Sequence, residues 1–95
     1  MITGIELIAQ ERLEQQTKHN RSIADDCIYN TQGQLSVAAG ILAQKNIPDS
    51  IKETLVPKGW DGPIWDKMIN KSYKERLIIA GALIAAEIDR LNAIT

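Results

Sequence analysis

The sequence contains no phenylalanine, and two tryptophans and two tyrosines are its only aromatic residues. A core without Phe has to be built from Ile, Leu and Ala, which favours helices packed closely side by side. Cys27 is the only cysteine, so no disulfide can form within the chain. Because disulfides are typical of secreted proteins, we expect a cytoplasmic protein.

The sequence also lacks a long apolar run and an excess of charge of one sign. Its longest apolar run covers the ten residues 77–86, whereas a membrane-spanning helix needs about 20. No basic stretch precedes an apolar one near Met1, which argues against a signal peptide. The formal net charge is -1 and the basic residues are scattered. We therefore expect neither a membrane nor a nucleic-acid polymer as partner.

Motifs of metal and nucleophile chemistry are missing as well. His19 is the single histidine, and because no second ligand stands at a suitable spacing, we expect it on the surface. The chain has no paired-cysteine zinc motif, no glycine-rich phosphate loop and no nucleophile elbow. From the motifs we predict no catalytic residue, no metal site and no cofactor.

What the sequence does contain is a repeated signal for helix starts. Capping-box patterns begin at Thr3, Thr31 and Ser72, and each leads into a segment with apolar residues at helical spacing. We therefore predict a single all-α domain over residues 1–95, a small bundle of three main helices plus a short one. The predicted main helices cover about residues 4–18, 32–45 and 73–92. The short helix begins at Pro48 and ends near Leu55.

The remaining segments are predicted to be irregular. Residues 19–29 are polar and show no clear period, so we interpret them as a loop. Residues 56–64 contain two prolines and two glycines, which predicts an irregular connection.

Apolar spacing predicts which helix faces are buried. In the first helix the predicted stripe is Ile5, Ile8, Ala9 and Leu13. In the second it is Leu35, Ala38, Ala39 and Leu42, widened by Val37 and Ile41. In the last helix, small residues recur four apart at Gly81 and Ala85 and at Ala82 and Ala86. Small residues at this spacing let two helix backbones approach closely, so we expect the last helix to mediate a homo-oligomer.

An aromatic and basic cluster lies before the last helix. Its members fall within seventeen residues: Trp60, Trp65, Lys67, Lys71, Tyr73 and Arg76. Indole rings can stack on a base, and Lys or Arg can bind a phosphate. The alternative is structural, with the tryptophans fixing the Gly- and Pro-rich connection onto the helices.

Carboxylates offer a different hypothesis. Four acids from separate parts of the chain could hold Mg²⁺ against a nucleotide phosphate: Glu11, Glu14, Asp26 and Glu87. Such a site resembles that of the MazG-like nucleotide pyrophosphohydrolases. The spacing departs from their pattern, since the later acids read Glu87-Ile88-Asp89.

The order of motifs resembles that of a family of small phage and prophage proteins. An E-R-x-x-Q start is followed by an acidic pair, a G-x-L-x-x-A-A segment, a Trp/Pro segment and an A-G-A-L-x-x-A-E-I-x-R-L close. The matching residues are Glu11, Arg12, Gln15, Asp25, Asp26, Gly33, Leu35, Ala38, Ala39, Trp60, Pro63, Trp65 and the run from Ala80 to Leu91. The resemblance implies an oligomeric phage accessory protein in the host cytoplasm, similar to sponges of the anti-Thoeris and anti-CBASS type that sequester nucleotide immune signals.

These observations predict a binding protein for a nucleotide-type small molecule, such as a cyclic oligonucleotide or a cyclic ADP-ribose. The predicted ligand-binding residues are Arg12, Gln15, Asp25, Asp26, Trp60, Trp65, Lys67 and Arg76. Two alternatives stay open: the magnesium-dependent pyrophosphohydrolase, and a protein–protein adaptor that inhibits a host factor.

Overall fold

A computed structural model of the protein describes residues 2–18, 22–52 and 55–94. The described residues form six helices and contain no strand, which confirms the all-α prediction. The helices are α1 (Gly4–Thr17), α2 (Ile23–Tyr29), α3 (Gln34–Leu42), α4 (Asp49–Lys52), α5 (Gly62–Ile69) and α6 (Tyr73–Ile94). His19, which the sequence places on the surface, lies outside the described residues.

Two of the three predicted capping boxes start helices as expected. Thr3 accepts a hydrogen bond from the backbone N–H of Glu6 at the start of α1, and Ser72 accepts one from that of Glu75 at the start of α6. The third prediction, at Thr31, is wrong. Helix α3 begins later, after Gly33, whose φ of 77° is in the left-handed region that favours glycine.

Two helices occupy segments predicted to be irregular. Helix α2 lies in the predicted loop, and Ser22 caps it by accepting from the backbone N–H of Asp25. Helix α5 begins inside the predicted connection, where Asp61 caps it and Pro63 stands in its first turn. Both are short, with 7 and 8 residues, so few apolar positions repeat within either. Helix α4 matches part of the predicted short helix, whose residues 53 and 54 lie outside the described part.

Helix α6 is the centre of the bundle, because α1, α2, α3 and α5 all pack against it. The core contains the predicted face of α3 together with residues of α5 and α6: Leu35, Ala38, Ala39, Leu42, Trp65, Ile69, Ile79, Ala80, Leu83 and Ala86. Val37 is not part of it; this side chain is 52% exposed, so the prediction that Val37 widens the buried face of α3 is wrong.

Helix α1 packs against α6 with a face that overlaps only partly with the one its apolar residues predict: Ile8 faces Gly81 of α6, as expected. Ile5 is 82% exposed and Leu13 is 60% exposed, whereas Arg12 and Gln15 are buried. The predicted core stripe of this helix is therefore wrong at Ile5, Ala9 and Leu13, all of which are exposed. Apolar periodicity identifies one face of a helix, but it does not tell whether that face meets the chain's own core or another molecule.

Gly81 allows the close approach of α1 and α6. A Cβ atom at this position would lie 2.5 Å from Cδ1 and 2.8 Å from Cγ1 of Ile8, distances at which carbon atoms repel each other. Gly81 therefore serves close packing within the chain, between α6 and α1. Among the described residues, no helix is both long enough and apolar enough to cross a membrane.

Candidate functional site

A cavity of about 780 Å³ lies between α1, α2, α5 and the connection before α5. We call it the main cavity. Its lining residues are Glu11, Gln15, Asp25, Asp26, Tyr29, Asn30, Gly59, Trp60, Asp61, Ile64, Lys67, Met68, Lys71 and Ile79. Five of the eight predicted ligand-binding residues are among them: Gln15, Asp25, Asp26, Trp60 and Lys67.

The walls of the main cavity differ in chemistry. Helices α1 and α2 contribute three of its four carboxylates, those of Glu11, Asp25 and Asp26. The cavity's two lysines, Lys67 and Lys71, lie in α5 and just after it. A ligand in the cavity therefore meets hydrogen-bond acceptors on one wall and cations on another.

A chain of side-chain hydrogen bonds fixes the tryptophan of the cavity. The indole Nε1 of Trp60 donates to Oδ1 of Asn30 at 2.9 Å. The amide of Asn30 donates in turn to Oδ1 of Asp26 at 2.8 Å. Asp26 is 1% exposed and Asn30 is 7% exposed, so water competes little for these bonds. The indole is thereby held in one orientation at the cavity wall.

Trp65, the other predicted tryptophan, belongs to the core. It is fully buried and is not among the residues that line the main cavity. Its ring meets that of Trp60 edge-on, with the centroids 5.9 Å apart and the planes at 76°. The structural alternative therefore describes its position, while its contact with Trp60 adds support to the cavity wall.

Gln15 lines the main cavity and contains a buried acceptor without a partner. This residue is 4% exposed, and its side-chain amide donates to the carboxylate of Glu11 at 3.5 Å. Its Oε1 atom is buried and accepts no hydrogen bond from any described residue. A buried amide oxygen without a donor costs about 1–3 kcal/mol, so a bound molecule that supplies a donor would recover that free energy.

Arg76 lies away from the main cavity and joins α3 to α6. Its guanidinium donates to the carbonyl oxygens of Leu42 at 2.9 Å, Gln44 at 2.6 Å and Lys45 at 3.1 Å. These carbonyls stand at the end of α3, where a helix leaves acceptors without partners. The guanidinium stacks also on the ring of Tyr73, 5.6 Å from its centroid.

Arg12 does not line the main cavity either. Its Nη2 atom forms an ion pair with Asp89 of α6 at 3.1 Å. The residue is 8% exposed, and its Nε and Nη1 atoms donate to no described residue. The observed contact of Arg12 is therefore one between α1 and α6.

The four acids of the magnesium hypothesis are not all brought to one place. Glu11 and Asp26 share the main cavity, whereas Glu14 and Glu87 are not part of its lining. Glu87 accepts instead from Nε of Arg90, and this hydrogen bond raises the pKa of Arg90 above its ordinary value. In the part of the chain that the structure describes, no group of three or more His, Cys, Asp or Glu is placed to hold a metal ion.

Several lining residues escaped the sequence analysis, among them Tyr29, Asn30 and Asp61. Lys71 was part of the aromatic and basic cluster but was not among the predicted ligand-binding residues. Asn30 caps the end of α2, a helix that we had interpreted as loop, and Asp61 caps the start of α5, which we had not predicted. The signal for Asp61 was present, since an Asp before Gly-Pro is a typical helix start.

Comparison with known proteins gives no further assignment: no family model, curated protein or solved structure matches the chain.

Proposed function

We propose that the protein binds a nucleotide-derived small molecule in the main cavity and holds it without converting it. The observation that carries the proposal is the convergence of Gln15, Asp25, Asp26, Trp60 and Lys67 on this one cavity. Together with the phage-family resemblance, it supports a role in sequestering a nucleotide immune signal of the host. Such a role requires tight binding and slow release.

The size of the main cavity suits such a ligand. Small-molecule sites usually measure about 300–1,000 Å³ and combine an apolar wall with a few polar groups. The main cavity, at about 780 Å³, falls within this range. Its apolar wall is formed by Ile64, Met68 and Ile79 beside the indole of Trp60.

The polar groups match the parts of a nucleotide. The indole of Trp60 is already oriented by Asn30, so stacking on a base would cost little ordering of the protein. The carboxylates of Asp25 and Asp26 can accept from ribose hydroxyls, as acidic residues do in other nucleotide sites. Lys67 can bind a phosphate. The unpartnered Oε1 of Gln15 adds an acceptor for a base amino group or a hydroxyl.

A matched pair of variants tests the site. Asp25→Asn removes a lining carboxylate with little change in volume, and Asp66→Asn does the same at an exposed position of α5 outside the lining. Binding of a nucleotide panel would be followed by calorimetry. We expect about a tenfold loss of affinity for Asp25→Asn, because a charge-assisted hydrogen bond contributes about 1.5–3 kcal/mol. Equal affinities of the two variants would contradict the assignment.

Release of the bound ligand by heat denaturation separates the proposal from its alternatives. The protein would be incubated with the nucleotide panel, with and without Mg²⁺, and then denatured by heat so that bound material can be analysed. Intact nucleotide in the supernatant supports binding without turnover. Magnesium-dependent pyrophosphate would instead support the pyrophosphohydrolase, and capture of a host protein without any nucleotide would support the adaptor.

We propose further that two copies of the chain pair through an apolar face formed by α1 and α6. On α6 the exposed members are Leu77, Ile84, Ile88 and Leu91, between 39% and 53% exposed, and on α1 they are Ile5 and Leu13. Leu77, Ile84 and Leu91 are seven residues apart, the repeat with which helices pair with identical helices. The exposure of Ile5 and Leu13 on a helix that buries Arg12 is best explained by a second copy of the chain that covers them.

Light scattering after gel filtration tests the pairing. Ile84→Glu places a charge in the middle of the apolar face, and we expect it to convert the dimer into a monomer. Val37→Glu is the control, because Val37 is equally exposed on α3 but lies on another helix. A monomeric parent protein, or dissociation by both variants, would contradict the proposed interface.

A further inference from the structure

A second, smaller cavity adjoins the main one and has a different charge. It measures about 250 Å³ and is lined by Lys45, Asn46, Ile47, Lys52, Ile69, Lys71 and Arg76. We call it the basic cavity, since four of its seven lining residues are cations and none is an acid. Arg76 donates a hydrogen bond to the backbone carbonyl of Lys45 at 3.1 Å, and this contact joins α6 to the segment after α3 at the cavity wall.

The positive charge of the basic cavity is only partly balanced by neighbouring acids. Lys52 pairs with Asp49 at 3.0 Å, but Asp49 has a side chain that is 97% exposed. Lys71 approaches Glu75 at 3.9 Å, and the side chain of Glu75 is 58% exposed. Pairs so open to water are weak. An anion inside the cavity would replace them at little cost.

Arg76 contributes charge but not new hydrogen bonds. Three carbonyl oxygens already accept from its two terminal nitrogens, and it is 6% exposed. It therefore acts as a fixed buried positive charge behind the cavity. The lysines, which carry three donors each, are the groups that can contact an anion directly.

Lys71 lines both cavities. This residue therefore lies at the boundary between the wall that carries Lys67 and the basic cavity. The main cavity alone has four carboxylates against two lysines, a balance that disfavours a ligand with several negative charges. The basic cavity offers the positive charge that such a ligand would need.

We propose that the basic cavity binds a phosphate-type dianion and continues the main cavity through Lys71, so that the ligand carries its phosphates at this end. The continuation of the ligand into the main cavity rests on the proposed function, whereas the anion site itself does not. The ligand class that fits both cavities is a nucleotide with a diphosphate or a second phosphate group. A base and ribose would occupy the main cavity, with the phosphates between Lys67 and Lys45.

Inorganic pyrophosphate is the probe for the anion site. Its binding would be measured by calorimetry at low salt for the parent protein and for Lys45→Gln. Lys45 is exposed at the cavity rim, so its replacement should leave the fold intact. We expect about a tenfold loss of affinity in Lys45→Gln, as for one charge-assisted hydrogen bond. Lys74→Gln, an equal change of net charge outside both cavities, should stay within about twofold of the parent.

No pyrophosphate binding by the parent protein would overturn the anion site, and so would equal losses in Lys45→Gln and Lys74→Gln. Salt gives a second measurement, because binding to fixed charges should weaken steadily as ionic strength rises. Pyrophosphate binding that is insensitive to salt would also contradict the proposal.

The four ribonucleosides and their 5′-diphosphates separate this inference from the proposed function. If pyrophosphate binds but no nucleoside or nucleotide does, the basic cavity stands and the proposed function fails. If a nucleotide binds while neither pyrophosphate competition nor Lys45→Gln changes its affinity, the proposed function stands and the basic cavity is not its phosphate site. If both hold, the diphosphate should bind more tightly than its nucleoside, and Lys45→Gln should reduce only the affinity for the diphosphate.

Discussion

Replacing Arg76 by Met should destabilise the whole domain. Met keeps an unbranched apolar side chain for packing but removes the guanidinium, so the carbonyl oxygens at the end of α3 lose their donors. The stability of this variant tests whether the main role of Arg76 is to join α3 to α6, as its contacts indicate, or to bind a ligand.

The magnitude follows from the burial of the three acceptors. A hydrogen bond to a charged group contributes about 1.5–3 kcal/mol when it is shielded from water. The bond to the Leu42 carbonyl is buried, while those to Gln44 and Lys45 are partly buried. Water can replace the donor at the latter two, so we expect a loss of about 3–5 kcal/mol in all. A domain of 95 residues has a free energy of unfolding of roughly 5–14 kcal/mol.

Urea denaturation followed by circular dichroism measures this loss directly. Lys74→Met is the control, since it removes a cation from an exposed position two residues away on α6. Arg76→Lys should recover only part of the stability, because one ammonium cannot reproduce the planar arrangement of donors that spans three carbonyls. A loss below about 1 kcal/mol in Arg76→Met, or full recovery by Lys, would refute the argument.

Two further predictions concern packing and the tryptophan support. Gly81→Ala should lower the melting temperature, because its Cβ would lie 2.5 Å from Cδ1 of Ile8. Gly40→Ala is the control: nothing lies within 4 Å of its Cβ, so it should raise stability by about 0.5–1 kcal/mol through helix propensity. A gain in both variants would show that the contact at Gly81 relaxes freely. Asn30→Ala removes the side-chain hydrogen bonds of Asn30 with Trp60 and with Asp26. We expect about 1–3 kcal/mol less stability in urea and a change in near-ultraviolet circular dichroism. An unchanged spectrum would mean that the orientation of the indole does not depend on Asn30.

The sequence predicted helices where end signals and apolar spacing agree. Helix α6 combines a capping box at Ser72 with a long periodic segment, and its observed end at Ile94 is two residues beyond the predicted one. Helices α2 and α5 are too short for periodicity to show, although Asp61 and Pro63 marked the start of α5. The orientation of α1 could not be predicted, because an exposed apolar stripe and a buried one have the same spacing.

The candidate site could be predicted from the sequence only in part. Trp60 and Lys67 lie near each other in the sequence, and their shared cavity follows from one short segment. Arg76 is equally near, but its contacts depend on the end of α3, more than thirty residues away. A sequence does not show which of two neighbouring cations binds backbone carbonyls and which lines the main cavity.

The central position of α6 has a consequence for synthesis of the chain. Because α1, α2, α3 and α5 all pack against it, the segments made first have no core to join until α6 leaves the ribosome. Folding should therefore follow synthesis of α6 as one cooperative step, with little stable structure on the nascent chain before that point. During this interval the apolar residues of α3 remain exposed, and they are where a chaperone would bind.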